Sequence, residues 1–234
     1  MIRKLLIVAV SAAMLALVSI GAAVAIGGPA LRKAFEERHV IVLGDEYEGP
    51  TTTRQFEFDA AKMLVIDMPV DLRFERSDTA SMEVEGPQEA IDDLVYENGK
   101  LGFSKGGKAK HASLSVVIKA PRLLGLHLDA PADVELFDLD QENFEVQSAG
   151  AADVTATGKI AKLRLESDGA ADFDFENVEV TDASVEINGA GDIELSAKGI
   201  VDLEINGAGD VTLHTKPAKL NSTINGIGDV KHAY

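Results

Sequence analysis

The chain has 234 residues, 46% of them hydrophobic, a formal net charge of −17 and a pI of about 4.6. So acidic a surface repels nucleic acid and anionic lipid headgroups, so neither is expected as a partner. The absence of cysteine excludes a disulfide framework, thiolate metal sites and an N-terminal lipid-modified cysteine.

In chain order, the first element is an export signal. Arg3 and Lys4 precede an apolar run from Leu5 to Ile20, and Gly21-Ala22-Ala23-Val24-Ala25 supplies the small residues of a cleavage site. Cleavage after Ala25 removes both cations and shifts the net charge to −19. The alternative is an uncleaved inner-membrane anchor, because the apolar run continues to Gly28 and is long enough for ~30 Å of hydrocarbon. Membrane contact is expected only through this segment. Residues 26–54 read as a tether with a short helix at Leu31–Arg38.

The domain proper is expected over 55–234. Met82–Gly86 and Leu114–Ala120 alternate as strands, and Gln88–Leu94 suits one helical turn. Asn98-Gly99, between two apolar stretches, predicts a type I′ hairpin, expected to project from the body. Lys105, Lys108, Lys110 and His111 form a dense basic patch just after it.

From 122 to the end the chain repeats. Gly150-Ala-Ala-Asp153, Gly169-Ala-Ala-Asp172, Gly189-Ala-Gly-Asp192, Gly207-Ala-Gly-Asp210 and Gly226-Ile-Gly-Asp229 place their aspartates 19, 20, 18 and 19 residues apart. Ala130-Pro-Ala-Asp133 adds one copy upstream, and Met68-Pro-Val-Asp71 is a looser match. Apolar columns keep the same register, seven residues before each Asp (Leu126, Val146, Leu165, Val185, Leu203) and one after it (Val134, Val154, Phe173, Ile193, Val211, Val230). Polar residues alternate with them, which means strands with one buried face. A unit this short has no room for a crossover helix and cannot bury its own apolar face, so successive units must stack. The predicted fold is all-β, a right-handed parallel β-helix with coils of about 19 residues, preceded by the signal or anchor helix. The 62 residues between Asp71 and Asp133 read as about three further coils, and 137–143, 157–162, 176–182, 196–200 and 214–219 as the loop edge.

The aspartate column (Asp133, Asp153, Asp172, Asp192, Asp210, Asp229) brings like charges close. A Ca²⁺ ion, which takes six to eight oxygens, is one way to offset them. Backbone N–H groups at the corner are another, and the column is read as structural. Asn188, Asn206 and Asn225 read as a coil-to-coil amide ladder whose backbone tolerates left-handed corners, and the corner glycines as backbone requirements. Histidines 39, 111, 127, 214 and 232 show no metal-ligand spacing. No catalytic, cofactor-binding or metal residue is assigned.

The Asn-Gly-Ala-Gly-Asp corners at 188–192 and 206–210, the variant Asn225-Gly-Ile-Gly-Asp229, and the Pro-Val-Asp71 and Glu-Asn98-Gly99 features resemble the GIN-domain family, described as the head domain of auto-transporter adhesins. The resemblance spans roughly Gln55 to Tyr234 and implies a β-helical exported domain with no catalytic residues to carry over. The expected function is a non-catalytic cell-envelope module, adhesin-head-like, in the periplasm or at the surface, with an envelope glycan or protein as partner. A polysaccharide-active β-helix enzyme is the alternative. The last coil changes character, with Ser222, Lys231 and His232 on otherwise apolar or outward columns, and weak self-association through it is expected.

Overall fold

The fold is described from a computed structural model over residues 50–104 and 112–234. The signal or anchor segment, the helix expected at Leu31–Arg38 and the basic patch at 105–111 lie outside the described residues. Among those described, no helix is long and apolar enough to cross a membrane.

The first half contains β1 (Thr51–Phe56), β2 (Leu64–Ile66), β3 (Val70–Arg76), β4 (Ser81–Pro87), α1 (Gln88–Asp93), β5 (Leu94–Glu97), β6 (Lys100–Phe103) and β7 (Leu114–Ala120). The second half contains β8 (Gly125–Leu128), β9 (Ala132–Ser148), β10 (Ala151–Ser167), β11 (Ala170–Ile187) and β12 (Ile193–Ala197). It ends with β13 (Ile200–Ile205), β14 (Val211–Leu213), β15 (Lys219–Ile224) and β16 (Val230–His232). Strands account for 67% and helix for 3% of the described residues, which wind into a β-solenoid of about five turns. The six aspartate corners delimit those turns.

Each turn contributes to two walls. On the wall after the corner, β3, the first parts of β9, β10 and β11, then β12, β14 and β16 pair in parallel. On the wall before it, β2, β8, the last parts of β9, β10 and β11, then β13 and β15 do the same. The register follows the sequence period: Asp133 lies opposite Asp153 and Asp153 opposite Asp172. Val154, Phe173, Ile193 and Val211 consequently stack inside, each at most 1% exposed. The column five residues before each Asp is apolar at Leu128, Ile187 and Ile205, yet holds Ser148 and Ser167 in between. Their hydroxyls are buried without a hydrogen-bond partner, a costly state for a polar group.

Two expectations are corrected upstream. Asp71 pairs directly opposite Asp133, so one coil step separates them where about three coils were expected. The 62 intervening residues leave and return. β6 pairs in parallel with β2, and β7 with β3, so together they form a coil stacked outside β2 and β3 although they follow them in sequence. β4 and β1 then extend that wall antiparallel. The Asn98-Gly99 turn has φ of 54° and 83°, the left-handed pair a type I′ hairpin needs. The hairpin does not project: β6 belongs to the wall, because Leu94 and Leu101 alternate inward and are buried.

The expected helical turn is α1, packed on β4 and β1 through Ala90 and Ile91. Arg54 donates from Nη1 to the carbonyls of Ile91 (3.3 Å) and Leu94 (2.9 Å), satisfying acceptors that a helix end leaves open.

The expected loop edge is also corrected. In the first three coils β9, β10 and β11 run unbroken through it, for example with Lys159 opposite Asp140 and Glu179, so the edge is a third paired side. Leu139, Ile160, Val178 and Val180 explain this, since their buried side chains give it a core contact of its own. Turns replace it only in later coils, before β13 and β15.

Candidate functional site

The corner is the most regular surface feature. The backbone N–H of each late-coil aspartate donates to the carboxylate below: Asp192 to Asp172 (2.8 Å), Asp210 to Asp192 (3.0 Å) and Asp229 to Asp210 (2.9 Å). A carboxylate that accepts a backbone N–H is stabilised in its charged form, which offsets the repulsion along the column. Lys231 adds a 2.6 Å contact to Asp210 and, with the Asp229 N–H, holds that carboxyl below the usual range.

Upstream the balance reverses. The side chain of Asp133 still meets solvent, but the coils crowd its carboxyl. This desolvation, with the charges of Asp153, Asp71 and Glu135, raises its pKa to about 6. Desolvation likewise raises Asp71 and, together with the charges of Asp172 and Asp174, raises Asp153.

The amide ladder forms as expected and extends one coil further. Asn225 donates to Asn206 (3.0 Å), Asn206 to Asn188 (2.9 Å) and Asn188 to Asp168 (3.0 Å). Its backbone is not left-handed: among the described residues only Asn98 and Asp138 have positive φ without being glycine. The corner glycines serve stacking distance instead. A Cβ on Gly169, Gly189, Gly207 or Gly226 would run into the carbonyl oxygen of the corner glycine one coil below.

Beside the ladder, the wall before the corner carries a shallow groove of about 230 Å³. Ser184, Asp202 and Asn221 line one side and Glu186, Glu204 and Thr223 the other, in two registered columns. Asn221 donates to Asp202 at 2.6 Å. One coil earlier the same columns place Arg164 against Glu145 (3.2 Å) and Glu166 (2.9 Å), so that guanidinium is held in ion pairs outside the groove.

A third arrangement was not legible as a motif. Glu176 near the middle of β11, Glu194 of β12 and His214 just after β14 converge on the opposite wall, their ligand atoms all within 4.8 Å of one another. His214 Nε2 lies 2.9 Å from Glu194 Oε2 and 3.7 Å from Glu176 Oε2. The sequence separations, 18 and 20, match no helical or loop metal motif, but each is close to one coil period, and the period was the available signal. The other described histidines stand elsewhere, His127 between Gln147 and Asp129 (both 2.8 Å) and His232 against Tyr234.

A stack of parallel coils bearing flat polar ladders defines a β-solenoid domain. The chain belongs to the family described as "Putative auto-transporter adhesin, head GIN domain", whose model matches residues 62–217. Among solved structures, a putative adhesin from Bacteroides fragilis shares the fold at a TM-score of 0.62 and 19% identity, covering 78% of this chain and 97% of that one. A putative lipid binding protein from Parabacteroides distasonis is similar at a TM-score of 0.43 and 16% identity, covering 80% and 98%. No curated protein matches the chain.

Proposed function

We propose that this protein is a non-catalytic, exported cell-envelope binding module that engages an envelope glycan or protein through the polar wall before its corners. The observation that carries the reading is the groove of β11, β13 and β15, where carboxylates, amides and hydroxyls line up in register on a rigid wall. These groups are acceptors and donors suited to the hydroxyls of a sugar or the cationic side chains of a protein. The family's adhesin description supports binding over turnover. Cleavage of an acidic polysaccharide would call for a cationic group among the carboxylates, whereas the groove residues are acid, amide and hydroxyl.

The test is a glycan array, together with pull-down of isolated envelope proteins, using the purified exported protein. Saturable binding that weakens about tenfold in Glu204→Ala/Asn221→Ala is the expected result. No retention on either panel, or release of shortened polysaccharide, would overturn it. For export, N-terminal sequencing of the native protein should find a start at or near Ile26, while a Met1 start would mean an anchored form.

A further inference from the structure

The Glu176, Glu194 and His214 cluster lies on the other wall and is independent of the groove. We infer that these three side chains form a binding site for one first-row divalent transition-metal ion of the Zn²⁺ class, riveting three successive coils together.

The geometry carries this first. Zinc holds nitrogen and carboxylate oxygen at about 2.0–2.2 Å, which puts neighbouring ligand atoms ~3.0–3.4 Å apart in octahedral or tetrahedral sites. The separations of 2.9 Å and 3.7 Å from His214 Nε2 bracket that range, and small carboxylate rotations close the difference. The ligands are preplaced. The His214 backbone N–H donates to Leu195 (2.9 Å), and Asn177 donates to Glu176 Oε1 (3.1 Å), leaving Oε2 turned toward the imidazole. Such outer contacts commonly orient metal ligands. Buried Phe175, Leu195 and Leu213 alternate with the ligands along these strands and anchor them in the core.

Charge is the second, separate observation. Asp174 sits in register beside Glu194, and its Oδ1 accepts the Glu176 N–H at 3.1 Å. Three carboxylates thus surround one imidazole. Among the described residues none of the three forms an ion pair with lysine or arginine. Some acids elsewhere are paired, as where Glu75 and Glu135 share Arg73 and Glu179 takes Lys159 and Lys198. A divalent cation neutralises this surplus. A nitrogen donor among so few oxygens suits Zn²⁺ or its neighbours over Ca²⁺.

The experiment uses the full chain after chelation and dialysis, titrated with Zn²⁺ by calorimetry and melted with and without the metal. One Zn²⁺ per chain with a Kd in the micromolar range and a raised Tm is expected. His214→Ala and Glu194→Gln should each weaken binding at least tenfold with unchanged circular dichroism. His127→Ala and His232→Ala should bind as wild type, and millimolar Ca²⁺ should leave the Tm unchanged. Absence of saturable Zn²⁺ binding, unaltered affinity in both His214→Ala and Glu194→Gln, or loss on His127→Ala instead would each overturn the site.

Discussion

Asp192 shows how one residue serves the corner. Its Oδ1 accepts the Asp210 N–H, a role that the carbonyl oxygen of an asparagine also fills. Asp192→Asn should therefore change stability by no more than about 0.5 kcal/mol, whereas Asp192→Ala should cost about 1 kcal/mol through the lost acceptor, both read from urea melts. Asp133 gives a pH signature. With its pKa at about 6 in the fold and 3.8 as its ordinary value, the folded chain holds more protons between those limits. Stability then falls as pH rises through that window and levels off above it. Asp71, Asp153 and Asp174 shift the same way. Glu75, held down by Arg73, and Asp210, held down by Lys231, oppose them at lower pH. Tm measured from pH 4 to 7.5 should show a decline that Asp133→Asn flattens. The orphaned hydroxyl of Ser167 predicts the reverse of the usual core mutation: Ser167→Ala should be neutral or stabilising by about 1 kcal/mol, since it removes an unpaired buried polar atom.

The corner, taken as an element, tolerates less. Gly207 packs so close to Gly189 that a side-chain carbon has no room, and the contact is with backbone, which cannot swing aside. Gly207→Ala should cost about 3 kcal/mol by overpacking, measured by chemical denaturation. Elements with local patterns were legible before folding: β4, β7, α1 and the Asn98-Gly99 hairpin all stand where alternation and turn chemistry place them. The long bent strands β9, β10 and β11 were not. Their middles carry outward polar residues such as Lys159 and Glu179, and they resemble loops until the neighbouring coil supplies hydrogen bonds.

Across the whole molecule the two ends differ. At the N-terminal end α1 buries Ala90 and Ile91 against β4 and β1. At the other, β15 and β16 are open: Ile224 is 41% exposed, Ile227 82% and Tyr234 52%, with Leu220 and Val230 half-buried. Strand edges of this kind are templates for pairing. Lys231 and His232 are the polar residues on β16, one paired with Asp210 and the other in an edge-to-face contact with Tyr234. Lys231→Val with His232→Leu restores the apolar column and removes an edge charge, and should promote self-association. Sedimentation over a concentration series checks this, with two monomeric profiles as the contrary result.

The amino-acid sequence alone determined the coil, its period, its corner and its buried columns, because in a solenoid each residue's neighbour in space is the residue one period away. That rule turns a linear repeat directly into contacts, and the aspartate and asparagine ladders follow from it. Only the tertiary structure decided what departs from strict translation. β6 and β7 stack outside β2 and β3 although they come later in the chain, a choice made by pairing and burial that no local pattern encodes. Glu176 and His214 each stand two residues beyond Asp174 and Thr212, the register partners of Glu194, so they approach its carboxylate diagonally from the coils on either side. The period could place them on neighbouring coils, but their convergence depended on how those coils close.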